Sequence, residues 1–254
     1  MKRMIDVITS LIGLILLSPL LLLVMILIWI HDFHSPFYIA PRVGKSGQVF
    51  NMVKLRSMVV HADKTGVDST SSSDPRITPI GHIVRKFKLD EFTQLWNVLK
   101  GDMSLVGPRP NVKRETDLYT RVEKGLLSVC PGITDFSSIV FSDENEMLRD
   151  SKDPDIDYNQ LIRPWKSRLG LLYVENASFK LDVILLFLTI LNMYSRPNAL
   201  RGLCKLLKKM DAPEDLIRVS KRQSVLVPFP PPGSDRIVVS RQSFCMKRNK
   251  ISGF

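Results

Sequence analysis

The sequence predicts a mostly helical α+β protein, with an apolar helical segment at its N-terminus and a more polar domain after it. Residues 7–30 carry no charged side chain. Apolar residues recur at helical spacing in residues 81–100 and again in residues 200–210. Prolines and glycines divide residues 37–58 into short extended pieces and turns. A chain of 254 residues is long enough for one sizeable domain with appendages.

The apolar segment from Val7 to Ile30 predicts a retained membrane anchor. A helix of this length would cross a hydrocarbon core of about 30 Å. The segment is too long for the apolar region of a signal peptide, and no small-residue cleavage site follows it. Ser18-Pro19 lies at its middle, where proline kinks or breaks a helix. A helix-break-helix and a merely kinked spanning helix both remain open.

The charges that flank the anchor favour a re-entrant arrangement. Lys2 and Arg3 precede the apolar segment, and the basic residues Arg42, Lys45, Lys54 and Arg56 follow it. Positive flanks tend to stay on the cytoplasmic side of the membrane. A re-entrant hairpin keeps both ends there, so we predict an anchor at 1–34, a cytoplasmic domain at 35–212 and an extended, proline-containing basic tail at 213–254.

The remaining segments are assigned from their breakers and periodicity. A helix from Gly81 to Lys100 ends at Gly101, and its apolar stripe is Phe92, Leu95, Trp96 and Leu99. The other expected elements are a loop at 61–79 with a serine cluster at 69–73, a helix at 111–129, an acidic loop at 143–157, an apolar helix at 181–194 and a basic amphipathic helix at 200–210. The apolar helix is either a core or an interfacial helix. The amphipathic helix suits an anionic membrane surface or simply solvent.

The net charge of +11 indicates an anionic partner. The basic residues are scattered and form no nucleic-acid-binding motif, so nucleic acid is not expected, and a membrane surface or phosphorylated substrates are favoured. Cys130, Cys204 and Cys245 are odd in number and widely spaced. Their pattern indicates neither a disulfide framework nor a zinc site.

Two adjacent carboxylates, Asp90 and Glu91, are the candidate catalytic residues. They follow the basic residues Arg85, Lys86 and Lys88, which would hold them ionised and attract an anionic substrate. An ionised Asp can attack phosphorus, and carboxylates also bind Mg²⁺ together with substrate phosphates. The alternative is a charged helix start, where acidic side chains favour the helix dipole.

The stretch Leu89–Pro110, with its Asp-Glu pair and its Gly-Pro-Arg-Pro end, closely resembles the signature of the bacterial sugar transferase family. These are monotopic polyprenyl-phosphate phosphoglycosyltransferases. Supporting blocks occur in the same order, and the resemblance covers roughly residues 1–195. These blocks are Lys2-Arg3 with Asp6, Ser18-Pro19 at the break of the re-entrant anchor, Lys54–Met58, Asp74–Thr78, Pro131–Thr134 and Ser178–Asp182.

The chain departs from the family pattern at three places. Phe92-Thr93 replaces the usual Leu-Pro, Asp135 replaces a glycine, and Gly170 stands where an acidic residue is common. The first change preserves apolar bulk. The other two put contacts with the sugar or the nucleotide in doubt.

The resemblance implies transfer of a sugar-1-phosphate from a UDP-sugar to undecaprenyl phosphate, with release of UMP. This would be the initiating step of O-antigen, capsule, exopolysaccharide or glycoprotein glycan synthesis. Asp90 would form an aspartyl-phosphosugar intermediate, and Glu91 would position Mg²⁺ or assist proton transfer. Mg²⁺ would bind at Asp90 and Glu91.

The resemblance also implies where the substrates bind and where the enzyme acts. Arg85 and Arg109 are the expected phosphate ligands, because a guanidinium binds phosphate oxygens in pairs, and Pro108 and Pro110 would hold Arg109 rigidly. Lys54 and Arg56 are further candidates, and a surface salt bridge is the alternative role for Arg109. The catalytic domain would lie at the cytoplasmic face of the bacterial inner membrane, on amphipathic interfacial helices that contact membrane lipid. A homodimer is compatible with the sequence.

Two other functions remain open from the sequence. A membrane-anchored phosphohydrolase could use the same carboxylate and metal, and its product would be free sugar phosphate. A non-catalytic scaffold of a glycan assembly complex is the second, although the intact Asp90-Glu91 pair argues against it. The sequence does not identify the sugar.

Overall fold

A computed structural model describes residues 2–62 and 74–239 and shows the predicted α+β, mostly helical architecture. The predicted serine cluster at 69–73, Cys245 and the end of the basic tail lie outside the described residues. The helices are α1 Lys2–Asp32, α2 Pro79–Lys86, α3 Leu89–Phe92, α4 Leu95–Lys100, α5 Lys113–Thr116, α6 Phe136–Val140, α7 Glu144–Met147, α8 Pro154–Asp157, α9 Arg163–Asn176, α10 Phe179–Tyr194, α11 Arg196–Lys209 and α12 Glu214–Ser220. The strands are β1 Phe37–Val43, β2 Val49–Leu55, β3 Ser104–Val106 and β4 Gly132–Thr134.

The N-terminal anchor forms one helix, α1, which runs without interruption through Pro19. This corrects the predicted division into two helices at Ser18-Pro19. Proline removes one backbone donor, and the Ser18 hydroxyl donates to the Ile15 carbonyl at 2.8 Å, one turn back. α1 is long and apolar enough to cross a membrane by length and composition.

Both ends of α1 are bound to the same polar domain. Near the N-terminus, Lys2 Nζ donates to Asp182 Oδ2 at 2.6 Å, and the Asp6 carboxylate accepts from Ser104 Oγ at 2.8 Å. At the other end, Arg56 pairs with Asp32. Between them, one face of α1 is buried while the opposite face exposes large apolar side chains such as Leu16. The polar domain therefore lies along the helix instead of beyond one end of it.

Two small sheets frame the domain. β1 and β2 form an antiparallel hairpin in which Tyr38 pairs with Lys54. β3 and β4 are parallel, with Ser104 opposite Gly132 and Val106 opposite Thr134. The hairpin agrees with the short extended pieces predicted over residues 37–58.

The segment predicted as one helix from Gly81 to Lys100 is divided into α2, α3 and α4. Thr78 caps α2 by accepting from the backbone N–H of Gly81 at 2.9 Å. Lys88 then adopts a left-handed conformation with φ of 52°. The helical backbone is interrupted there, so α2 ends before Lys88 and α3 begins after it. Leu95 is buried but Trp96 is exposed, so the predicted stripe is only partly core. α4 ends at Gly101, as predicted.

The prediction of one helix over residues 111–129 is also wrong. That segment contains the four-residue helix α5, turns, and a 3₁₀ helix from Glu123 to Ser128. Thr120 explains the interruption, because its backbone N–H donates to Glu123 Oε2 and its hydroxyl accepts from the Glu123 N–H, both at 3.0 Å. The acidic loop predicted over 143–157 contains the short helices α7 and α8.

The core lies between α9, α10, α11 and the parallel strand pair. Its largest fully buried side chains include Phe136, Leu169, Leu185 and Leu203. A second cluster joins the C-terminal half of α1 to β2, α2 and α3. Leu185 and Leu188 of α10 are buried while Phe187 and Ile190 are exposed, so this helix is both a core helix and a surface helix.

The C-terminal segment is attached to the domain. α12 falls within the range predicted as an extended tail, and its Leu216 and Val219 are buried in the core. The proline-containing segment after α12 has no regular structure. Within it, Phe229 stacks on Trp165 with ring centroids 4.4 Å apart. The chain from 214 to 239 therefore packs against α9.

Candidate active site

A cleft of about 720 Å³ opens between the β1–β2 hairpin, α3, the segment after β3, and α5 to α7. Basic side chains outnumber acidic ones among the described residues that line it. The basic ones are Arg42, Lys54, Arg56, Arg76, Arg85, Lys88, Arg109 and Lys166, and the acidic ones are Asp90, Glu91, Glu115 and Glu144. A concave basic surface favours an anionic ligand.

Hydrogen bonds fix α3 and α4 against β2, and this places Asp90 beside Lys54. Asn97 is fully buried; its Oδ1 accepts from the Val53 N–H at 2.9 Å, and its Nδ2 donates to the Asn51 carbonyl at 2.7 Å. The Thr93 hydroxyl lies 3.1 Å from the Val53 carbonyl and 3.0 Å from the Asp90 carbonyl. Thr93, one of the departures from the family pattern, thus ties the helix carrying the carboxylates to the strand carrying the amine.

Asp90 and Lys54 face each other across the cleft wall without a hydrogen bond. Their Oδ2 and Nζ atoms are 3.8 Å apart, and both side chains are largely buried. Burial raises the pKa of Asp90, and the charge of Lys54 opposes this effect. Burial, reinforced by the charge of Arg109, lowers the pKa of Lys54 to about 8. The carboxylate oxygens of Asp90 therefore remain available to a ligand.

Glu91 is held by Arg109, whose Nη2 donates to Glu91 Oε1 at 2.8 Å. Burial alone would raise the pKa of Glu91, but the charges of Arg109, Lys88 and Lys54 lower it to about 2. The same contact raises the pKa of Arg109. The pair stays ionised over the physiological range.

Backbone hydrogen bonds hold the Gly-Pro-Arg-Pro segment on both sides. The Gly107 N–H donates to the Thr134 carbonyl at 2.9 Å, and the Gly132 N–H donates to the Pro108 carbonyl at 3.0 Å. A Cβ on Gly132 would lie 2.0 Å from the Gly107 nitrogen, so the two backbones meet where only glycine fits. Arg109 is therefore presented from a rigid backbone, as predicted from its proline neighbours.

The structure separates the other two predicted phosphate ligands. Arg85 lines the cleft, and its Nε donates to Ser57 Oγ at 2.9 Å. Arg56 also borders the cleft, but its guanidinium donates to Asp32 Oδ1 at 2.6 Å and to the Ser35 carbonyl at 2.8 Å. The position of Arg56 therefore favours a role in holding the anchor.

The other two departures from the family pattern are accommodated by local contacts. The carboxylate of Asp135 caps α6 by accepting from the Ser138 N–H at 2.8 Å, and α6 presents Ser137 and Ser138 to the cleft. A Cβ at Gly170 would lie 2.7 Å from Leu126 and 3.7 Å from Pro108. Gly170 thus allows α9 to pack closely against Leu126 of the 3₁₀ helix, while its distance to Pro108 is an ordinary van der Waals contact.

Sequence reasoning missed several residues of the site. Thr93 and Asn97 position the carboxylates, and Arg42 and Glu115 line the cleft. The sequence indicates Arg42 only as a charge that flanks the anchor. The period-two alternation of β2 places Met52 and Lys54 on one face, but no local signal joins Glu115 to residues 54 and 90.

The donor set fits a magnesium ion that arrives with a phosphorylated substrate. Among the described residues, no group of three or more His, Cys, Asp or Glu side chains could hold a metal by itself. Asp90 and Glu91 offer two carboxylates at the cleft, and Asp90 makes no hydrogen bond through its own oxygens to any described residue. Mg²⁺ commonly uses one or two carboxylates and completes its shell with substrate phosphates and water.

The fold and the cleft define a class of protein: a membrane-associated domain whose basic site suits a phosphorylated ligand. The profile of the bacterial sugar transferase family matches residues 1–196. The chain therefore belongs to the bacterial sugar transferase family. This confirms the predicted family and the predicted enzyme class, a transferase of the phosphoglycosyltransferase type.

Individual relatives agree with this assignment. The chain is 35% identical over 204 residues to the exopolysaccharide production protein ExoY of Sinorhizobium fredii, a match that covers 74% of this chain and 83% of that one. It is 33% identical over 192 residues to a UDP-N-acetylgalactosamine-undecaprenyl-phosphate N-acetylgalactosaminephosphotransferase of Aeromonas hydrophila, covering 74% of this chain but 42% of the relative.

A third relative matches a shorter part of the chain. The identity is 45% over 109 residues to a Bacillus subtilis protein named as a putative undecaprenyl-phosphate N-acetylgalactosaminyl 1-phosphate transferase. That match covers 43% of this chain and 61% of the relative. The chain thus spans less than two thirds of these last two relatives.

Proposed function

We propose that the protein transfers a sugar-1-phosphate from a UDP-sugar to undecaprenyl phosphate and releases UMP, as an initiating step of surface polysaccharide synthesis. The observation that carries the proposal is the largely buried carboxylate of Asp90, 3.8 Å from Lys54 and beside the Glu91–Arg109 pair in a basic cleft. The names of the relatives from Aeromonas and Bacillus support undecaprenyl phosphate as the acceptor.

In the first half-reaction, an Asp90 oxygen forms a bond to the phosphorus that carries the sugar. The bond from that phosphorus to the oxygen bridging the diphosphate breaks, and UMP leaves with the electron pair. Lys54 and Arg109 neutralise charge on the phosphoryl oxygens. Arg85 also lines the cleft and binds the phosphate that leaves with the uridine.

In the second half-reaction, a phosphate oxygen of undecaprenyl phosphate forms a bond to the same phosphorus. The bond between Asp90 and phosphorus breaks, and the carboxylate is regenerated. Because the acceptor phosphate is already ionised, Glu91 need not remove a proton in this step, and its pKa of about 2 suits it to binding a cation. A magnesium ion bound through Asp90 and Glu91 would offset charge on the diphosphate.

We further propose that α1 is re-entrant and that the domain lies at the cytoplasmic face of the inner membrane. Lys2 and Asp32, at opposite ends of α1, both bind the same domain. A helix crossing the bilayer would place these two ends on opposite sides, and the domain could not contact both. The exposed face of α1 is apolar along its length, which suits a helix that dips into one leaflet.

Product analysis tests the proposed function. Purified protein in detergent is incubated with UDP-sugars, undecaprenyl phosphate and Mg²⁺, and the water-soluble and lipid products are separated. We expect UMP and a lipid-linked phosphosugar in equal amounts, and neither with EDTA. Free sugar phosphate without lipid product would instead identify a phosphohydrolase, and no UMP release with any donor would identify a non-catalytic protein.

A further inference from the structure

One part of the cleft holds polar side chains to which the proposed phosphoryl chemistry assigns no role. It is formed by α5, α7 and the segment that leads into α9, and its lining includes Glu115, Glu144, Tyr158 and Lys166. Carboxylate, phenol and amine groups are suited to binding hydroxyls. This region is therefore a candidate for the part of the substrate that carries no phosphate.

Glu115 differs from the other acidic residues of the cleft because its carboxylate has no partner among the described residues. Glu91 is bound by Arg109, Glu144 pairs with Lys166, and Asp90 lies near Lys54. Only the backbone of Glu115 is fixed, through its N–H and the Val112 carbonyl at 3.1 Å.

The carboxylate of Glu115 is also partly withdrawn from water. Burial raises the pKa of Glu115, and the nearby charges of Arg163 and Lys166 oppose this shift. A partly buried acceptor without a donor is unfavourable, and a ligand that supplies donors would remove this cost. The Glu115 carboxylate therefore has the properties of a substrate-binding group, because a bound substrate would supply the hydrogen-bond donors that it lacks.

Charge separates the two parts of the cleft and indicates which ligand group Glu115 would accept. Lys54, Arg85 and Arg109 lie on the side of Asp90, where phosphates are favoured. Near Glu115, Lys166 is paired with Glu144 and Arg163 with Glu123, so their charges are largely offset, and the charge of Arg42 also acts on Glu115. The Glu115 carboxylate itself repels a phosphate. A neutral group with several hydroxyls suits this position, because a carboxylate accepts two hydroxyl hydrogen bonds from adjacent carbons of a sugar ring.

We infer that Glu115 binds hydroxyl groups of a sugar ring of the nucleotide-sugar donor and contributes to donor selection. The inference rests on the proposed function. Two rings of the donor carry this chemistry, the transferred sugar and the ribose.

Kinetics of Glu115→Ala and Glu115→Gln test the inference, with Asp117→Asn as the matched control. Asp117 follows α5 directly, is exposed, and pairs with Lys113. Transfer is measured with a panel of UDP-sugars that differ at single hydroxyls, and inhibition by UMP is measured in parallel. We expect kcat/KM to fall about 10- to 100-fold in Glu115→Ala, the loss typical of a hydrogen bond to a charged group. Asp117→Asn should match the wild type.

The pattern of the effect identifies the ring. If Glu115 binds the transferred sugar, the preference among donors changes and inhibition by UMP does not. If Glu115 binds ribose, the binding of all donors and the inhibition by UMP weaken together. Thermal unfolding of each variant separates these effects from loss of fold.

Two results would overturn the inference, and they are distinguishable. Unchanged donor kinetics and UMP inhibition in a folded Glu115→Ala variant, beside an active wild type, would reject the role of Glu115 alone. An inactive wild type with every donor would reject the proposed function and this inference with it.

Discussion

The ion pairs of the cleft and the Glu123–Arg163 pair at the start of α9 use the same kinds of side chain. They differ in how many hydrogen bonds the carboxylate of each pair accepts. Beneath α9, Glu123 accepts from Arg163 Nη2 at 2.8 Å, from Ser167 Oγ at 2.8 Å and from the Thr120 N–H at 3.0 Å, and Glu123 is fully buried. In the cleft, Glu91 has one such bond and Asp90 has none to the described residues. A completed network stabilises a fold, whereas an incomplete one leaves oxygens free for substrate.

The largest expected effect is at Asp90 in the cleft, where the hydrogen bonds of the carboxylate are incomplete. Replacing Asp90 by Asn removes the proposed nucleophile, so transfer should fall by at least ~10³-fold. The substitution removes the negative charge 3.8 Å from Lys54 but breaks no hydrogen bond of the Asp90 side chain among the described residues, so unfolding temperature and membrane association should stay near wild type. Release of UMP measures transfer, thermal unfolding measures stability, and detergent extraction measures membrane association. Transfer near the wild-type rate would show that Asp90 is not the nucleophile.

The completed network around Glu123 should show the reverse outcome, a loss of stability. Glu123→Gln leaves the buried guanidinium of Arg163 without its carboxylate, and loss of one partner of such a pair costs about 3–5 kcal/mol. Chemical or thermal unfolding measures the loss. Asp117→Asn is the control, because its pair with Lys113 is exposed and should contribute less than about 1 kcal/mol. Equal effects of the two substitutions would contradict the comparison.

The next effect concerns Lys54, whose pKa is lowered to about 8. The amine is charged below that pH and loses its charge as the pH rises through it, so kcat/KM should fall up to about tenfold per pH unit above pH 8. Lys54→Arg keeps its charge, because a guanidinium stays protonated, and the alkaline decline should move to higher pH. An unchanged decline in Lys54→Arg would mean that another group titrates.

The smallest expected effect is at the clamp between the anchor and the domain. Arg56 donates to both oxygens of Asp32 and lowers the pKa of Asp32 to about 2. Because the folded pKa is lowered, this stabilisation is present above about pH 4 and is lost as the pH falls towards 2. Asp32→Asn should lower the free energy of unfolding by roughly 1 kcal/mol near pH 6, with a smaller difference from wild type near pH 3.

The matched control for the clamp is Glu146→Gln. Glu146 is exposed and pairs with Arg149 in the same polar domain. Glu146→Gln should change the free energy of unfolding little at either pH. A difference between wild type and Asp32→Asn that grows as the pH falls would contradict the assignment.

The parts of the fold that local signals specify were predictable. The apolar run of α1, the stop at Gly101 and the rigid segment around Arg109 follow from charge, glycine and proline, and the structure contains all three. The divisions at Lys88 and Thr120 were not predicted, because a left-handed lysine and a buried Glu123 depend on contacts with distant segments.

The candidate site was predictable only in part. Asp90, Glu91 and Arg109 lie within one short stretch of sequence, and the structure brings them together. Arg56 was expected to bind phosphate, but its hydrogen bonds go to Asp32, which no local pattern joins to it. Glu115 was missed because the cleft is assembled from segments far apart in the chain.

Trapping of the covalent intermediate tests the central claim most directly. The enzyme is incubated with Mg²⁺ and a donor labelled in its sugar phosphate, without undecaprenyl phosphate, then denatured, digested and analysed by mass spectrometry. We expect a phosphosugar adduct on Asp90 that is discharged by adding the acceptor lipid and is absent from Asp90→Asn. A preparation that transfers the sugar but carries no adduct, or an adduct that persists in Asp90→Asn, would contradict the account.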